Sequence, residues 1–173
     1  MFESLTMNQG SPMSVSPRGN SGIGLQPRAL FQDLGKGYNP SIKLREYGID
    51  PRIPGFHGDL DLFTQINTSY RLVFYTGEHS QMVLMHVPPG ENLGLEVHPD
   101  NDQFIKVEDG DGYAIINGSR VNLKAGSAVA IPAGTQHDII STTGLKLYTI
   151  YSPPHHPYDR VDHTKEEAEA AGH

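Results

Sequence analysis

The sequence predicts an all-β sandwich or barrel, on three observations. Between Tyr70 and Tyr151, about nine short runs rich in Val, Ile, Leu and Tyr follow one another, each bounded by Gly, Pro, Asn or Asp turns. The 173-residue chain can bury a core unaided and has no cysteine, so disulfides, zinc fingers and thiol nucleophiles play no part. There is no internal repeat, and no run reaches the length of an apolar membrane span.

Taken in order, RLVFYT (71–76) and QMVLMHV (81–87) flank a GEHS turn, and Pro88-Pro89-Gly90 ends the second strand. GLEVH (94–98) leads through PDND to QFIKV (103–107). YAII (113–116) then meets SRVNL (119–123) across Asn117-Gly118. That pair is the strongest short hairpin signal, because both residues tolerate the positive φ of a type I′ turn. SAVAI (127–131), HDIIS (137–141) and LKLYTIY (145–151) complete the series, with KAG and PAGT as turns.

Ahead of the strands, Asp59–Ile66 reads as a short helix. Residues 1–28, dominated by Ser, Gly, Pro and Asn, bury too little apolar surface to offset chain entropy and read as flexible. Residues 29–58 scatter Phe31, Tyr38, Tyr47 and Phe56 among glycines and prolines at no helical period. They read as an extended arm packing on the barrel or on a neighbour. The barrel domain then spans 59–157. An acidic tail follows at 158–173, where Thr164 and Glu167 form a capping box for a short helix.

The net charge of −7 argues against nucleic acid and anionic membranes as partners. The first twenty residues lack a basic start followed by an apolar run, so no secretory signal is read. The expected address is cytoplasmic or otherwise intracellular, with a component of a virion or other assembly left open.

Two segments carry the chemistry. Gly90 is followed after five residues by Glu96-Val97-His98, four residues later by Gln103, and six later by Gly110. Gly126 is followed after five residues by Pro132-Ala133-Gly134, after two more by His137, and after three more by Ser141. Together they resemble the two motifs of the cupin family: Gly, His-x-His, Glu and Gly in the first, Gly, Pro-x-Gly, His and Asn in the second. The fifteen residues between them match the spacing of compact members. The resemblance covers about residues 70–152. It implies a double-stranded β-helix, or jelly-roll, barrel holding one divalent metal ion per chain beside a small-molecule ligand. This sequence departs from the pattern at Glu96, where the first His is usual, at Gln103, where Glu is usual, and at Ser141, where Asn is usual.

Strand geometry supports the same set independently. Residues at i and i+2 share a face, so Glu96 and His98 project together. Gln103 opens the next strand with Ile105 and Val107 on its face, and His137 opens a later one with Ile139. Glu96, His98, Gln103 and His137 then offer two nitrogens and two oxygens with one formal negative charge. Harder donors favour Mn or Fe, while Zn, Ni and Co also suit such a set. Asp102 is the rival to Gln103, but choosing it turns Lys106 inward and expels Ile105 and Val107. A decayed site, with the barrel as a bare scaffold, is the blander alternative. Against it, unpartnered buried polar groups cost roughly 1–3 kcal/mol each.

Other residues signal less. His86 shares a face with Met82 and Leu84 and reads first as structural, with a route to the cavity as the alternative. His155 and His156 follow two prolines and read as a solvated loop. Tyr75, Tyr113, Tyr148 and Tyr151 read as core or sheet aromatics. Ser80 and Ser141 lie in no nucleophile-elbow sequence.

Two functions follow. One is a metal-dependent enzyme on a small polar organic molecule, with dioxygenase, isomerase and lyase chemistry undistinguished. The other is a non-catalytic structural or interaction protein whose N-terminal arm binds partners in an assembly. If Glu96 and His98 face inward, then Leu95, Val97, Phe104 and Ile140 face outward. Covering these apolar positions predicts a homodimer through strands near the first motif and the arm.

Overall fold

The computed structural model describes residues 56–172 together with a two-residue strand, β1 (Gly24–Leu25). The larger sheet runs β1, β2 (Arg71–Thr76), β3 (Gln81–Val87), β9 (Leu145–Ser152), β4 (Asp102–Asp109), β7 (Ala128–Ile131). β10 (Val161–Asp162) also pairs with β2. The smaller sheet is β6 (Ser119–Lys124), β5 (Asp111–Ile116), β8 (His137–Ser141). All pairings are antiparallel. Apart from Gly24–Leu25, which pairs with Thr76 and Tyr75, the flexible reading of 1–28 and all but residues 56–58 of the arm reading of 29–58 fall outside the described residues.

The two sheets enclose one apolar core of Val83, Val87, Val107, Ala114, Ile139 and Leu147. Alternation explains the inner face: along β9, Leu145, Leu147, Thr149 and Tyr151 are buried while the residues between them are partly exposed. β2 and β3 are apolar on both faces, and the outer face is covered by helix α1 (Leu60–Ile66). Phe63 packs there on Leu72, Phe74 and Leu84, with the Phe56 ring 4.9 Å from that of Phe74. The Asp59 side chain caps α1 by accepting from the Leu62 amide at 3.0 Å.

The β5–β6 hairpin turns at Asn117 (φ 46°) and Gly118 (φ 78°), as that dipeptide demands. Gly110, the last glycine of the first motif, has φ 87°, and a Cβ there would stand 1.6 Å from the Gly144 carbonyl oxygen. That position is closed to every other residue type. At the C-terminus, Thr164 caps helix α2 (Lys165–Ala170) by accepting from the Glu167 amide. The Glu167 carboxylate reaches back one residue further than in a standard box, to the His163 amide. Among the described residues, no helix is long and apolar enough to cross a membrane.

One expected strand is absent. Residues 94–98 form no ladder, because prolines at 88, 89 and 99 and Gly94 at φ 100° interrupt regular pairing. Only isolated bridges remain there, Asn92 to Ile140 and Glu96 to His137. The inward-outward alternation survives without the strand: Leu95 is 65% and Val97 49% exposed, while His98 is buried.

Candidate metal centre

The two motif segments are tied to each other by backbone. The Glu96 amide donates to the His137 carbonyl at 2.8 Å, and the His137 amide returns a bond to Glu96 at 3.0 Å. The Gly134 amide donates to the His98 carbonyl at 2.8 Å. The Pro132–Thr135 turn makes this possible, with Gly134 in a left-handed conformation before β8 begins at His137. Gln103 enters from β4, paired to Ile131 of β7 and Tyr151 of β9.

These contacts bring Glu96, His98 and His137 together with ligand atoms all within 4.8 Å of one another. The Glu96 Oε2 atom lies 3.2 Å from His98 Nε2 and 3.9 Å from His137 Nε2. His137 Nδ1 sits 2.8 Å from the Thr135 carbonyl, an acceptor only, so this nitrogen donates to the backbone and Nε2 is the one turned toward Glu96. Nε2 is buried without a hydrogen-bond partner, 3.9 Å from the Glu96 carboxylate. Gln103 repeats the pattern. Its Nε2 donates to the Tyr151 hydroxyl at 3.1 Å, leaving Oε1 buried without a partner. Buried acceptors facing no donor are the arrangement that a cation satisfies, so the residues present fit a divalent ion.

Gln103 is 1% exposed on the inner face. Asp102 lies at the exposed rim, where its Oδ1 accepts from the Ala133 amide at 2.9 Å. His86 lies on the outer side of the sheet with its Nδ1 near the Thr68 carbonyl, and burial together with nearby Lys146 lowers its pKa. The structural reading of His86 is therefore the one that holds.

The His155–His156 loop requires a correction. It is half-buried rather than solvated, because Gln81, fully buried on β3, grips its backbone. Gln81 Oε1 accepts from the His155 and His156 amides at 3.3 and 2.8 Å, and its Nε2 donates to the His156 carbonyl at 2.7 Å. The His155 ring then stacks on Tyr151 at 5.2 Å and stands 4.5 Å from His98. Burial foremost, with Arg71 second, pushes the His156 pKa down to about 2.

Sequence reasoning also missed the wall opposite the motif. A pocket of about 10 Å³, room for about one water molecule, is lined by Glu96, Tyr70, Arg71, Tyr151, Ala168 and Glu169. Burial first, then Glu96, raises the pKa of both Tyr70 and Tyr151 and keeps the phenols protonated. Arg71 forms a buried ion pair with Asp162 at 2.7 Å. The two residues are 91 positions apart, so no local pattern announces the contact.

Comparison with known proteins agrees with this architecture. The cupin domain family (Cupin_2) matches residues 83–151. YrkC of Bacillus subtilis is 39% identical over 148 residues, covering 80% of this chain and 77% of that protein. The crystal structure of BH2720 from Bacillus halodurans shares 37% identity and a TM-score of 0.66, covering 72% of this chain and 97% of that one. The barrel, its paired motifs and these relatives define one class: the chain belongs to the cupin superfamily. It is also similar, at 34% identity over 98 residues, to the quercetin 2,3-dioxygenase of B. subtilis, covering 51% of this chain and 29% of that protein.

Proposed function

We propose that this cupin binds one divalent metal ion per chain through Glu96, His98, Gln103 and His137, and acts as an enzyme on a small polar organic molecule. The observation that carries the reading is the convergence of Glu96, His98 and His137 on one point, with His137 Nε2 and Gln103 Oε1 buried there without partners. Two oxygens beside two imidazoles favour Mn or Fe. When bound, such an ion supplies Lewis acidity or dioxygen chemistry. Likeness to a quercetin 2,3-dioxygenase favours dioxygenase over isomerase or lyase chemistry. The chain's own groups do the rest. Tyr151 fixes the Gln103 amide so that its oxygen is left free, and buried Tyr70 and Tyr151 keep protonated phenols beside the ligand pocket.

Elemental analysis of protein purified without added metal or affinity tag tests this directly. One ion per chain is expected, lost in His98→Ala with His137→Ala, weakened in Gln103→Ala and retained in Asp102→Ala. Metal-free protein that shows no thermal shift with Mn, Fe, Ni or Zn defeats the reading, because binding to the folded state alone must raise stability with metal concentration.

The proposal includes pairing of barrels. Leu95, Val97 and Phe104 expose 65, 49 and 39% of their surface, a strip beside the first motif that a second copy would cover. Light scattering on a size-exclusion column should give a dimer mass at micromolar concentration. A monomer mass refutes it.

A further inference from the structure

We infer that Arg71 is the recognition group of a carboxylate subsite beside the metal centre, so that the small polar ligand is an organic acid. This deepens the enzyme reading above and rests on it for its meaning. The argument starts from the guanidinium. Arg71 is 5% exposed and lines the same pocket as Glu96. Its Nε donates to Asp162 at 2.7 Å, but the outer edge is poorly served. Nη1 lies 3.5 Å from His156 Nδ1, and Nη2 lies 3.4 Å from the Ala168 carbonyl. Both are long for a charged donor, and a guanidinium edge is shaped for two parallel bonds to a carboxylate.

The surrounding charge leaves room for an anion. Asp162 is shared between Arg71 and Arg160, whose Nε is 2.8 Å away, so this buried cluster carries one surplus positive charge. Arg160 Nη2 is itself buried without a partner. Two carboxylates line the pocket as well. Glu96 belongs to the metal centre, and Glu169, more than half exposed, pairs with Lys165 at 3.7 Å. The hydroxyls of Tyr70 and Tyr151 complete the wall, the first donating to the Asn92 carbonyl at 3.0 Å and the second accepting from Gln103 Nε2 at 3.1 Å.

The pocket admits about one water, so an acid must displace something. The part to move is α2, whose Ala168 carbonyl occupies the edge of Arg71 that a carboxylate oxygen would take. A six-residue helix has little stability of its own, so its place over Arg71 rests on its cap and on the docking of Ala168.

The test is an NMR titration of the full-length, metal-loaded protein with acetate and with its neutral isostere acetamide. Acetate should bind at least about tenfold more tightly, as expected for a hydrogen-bonded charge. Arg71→Gln should erase that preference while the metal content stays at one per chain. Hydrogen exchange at residues 165–170 should quicken with acetate and not with acetamide. Equal binding of acid and amide, or a preference unchanged in Arg71→Gln, overturns the inference. Should Arg71→Gln fail to fold, the wild type decides alone: absence of the acid preference or of the exchange response is fatal. Chelator-treated protein separates the two readings. A preference that persists without metal supports Arg71, and one that disappears assigns acetate to the ion and sinks the subsite. If no metal ever binds, the enzyme reading falls while the acid preference still decides the subsite.

Discussion

The cavity of this barrel has two walls of different origin. The motif wall, Glu96, His98, Gln103 and His137, is built from turns and strand starts whose spacing is visible in the sequence, and two of its acceptors, His137 Nε2 and Gln103 Oε1, are buried without partners. The opposite wall joins β2 to the end of the chain, and long-range pairs tie it together: Arg71 with Asp162, and Gln81 with the His155–His156 backbone. The difference separates two tasks. The unpartnered acceptors of the first wall are left for a cation, whereas the ties of the second hold the fold closed and leave only the outer edge of Arg71 for a ligand. Changes to the first should remove metal at small cost to metal-free stability. Changes to the second should cost stability first.

The sharpest way to break that contrast is Asp162→Ala. It leaves Arg71 and Arg160 facing each other without their shared carboxylate, at a site where Arg71 and Asp162 are each about 5% exposed. Removing one partner of a buried pair costs about 3–5 kcal/mol. Urea denaturation of metal-free protein should show a loss of that order, well above the loss in His98→Ala with His137→Ala. A smaller loss for Asp162→Ala than for the double variant would invert the roles of the walls.

Gln81→Ala is the next largest. It strands two loop amides and the His156 carbonyl inside the protein, and should destabilise by about 2–3 kcal/mol. The metal content should stay at one per chain, because Gln81 holds the loop and makes none of the contacts within the Glu96, His98 and His137 cluster. Loss of metal in this variant would make the His155–His156 loop part of the centre and erase the distinction between walls.

Much of the motif wall was legible because its causes are local. Proline-led turns at 99–101 and 132–135 fix where β4 and β8 begin, and two-residue alternation puts Gln103 rather than Asp102 inward. Alternation even outlived the expected strand at 94–98. The opposite wall was not legible. Arg71 and Gln81 look like ordinary strand ends, and their partners Asp162 and His156 arrive from 70 or more positions away. His155 and His156 illustrate the error most clearly. Two prolines and a polar pair signal an exposed loop, but one buried amide elsewhere reverses that outcome by capturing the backbone.

The smallest expected effect is on pH. His156 packs edge-on against Tyr151, its ring 5.2 Å away, with Arg71 beside it. Burial, then that guanidinium, holds its pKa near 2, far below the ordinary 6.5. Between those values the unfolded chain takes up a proton that the folded chain refuses. The stability this group contributes is therefore fully present above pH 6.5 and declines as pH falls through that value toward 2. The slope is at most about 1.4 kcal/mol per pH unit. His156→Phe keeps an aromatic ring against Tyr151 and removes the titration. In chelator, the variant should lose about 1 kcal/mol less than wild type between pH 7 and 5.5, measured by urea denaturation at each pH. Parallel pH profiles for the two proteins would mean that His156 titrates alike folded and unfolded. The wall it belongs to would then be open to water, contrary to the closed, paired surface that distinguishes it from the motif wall.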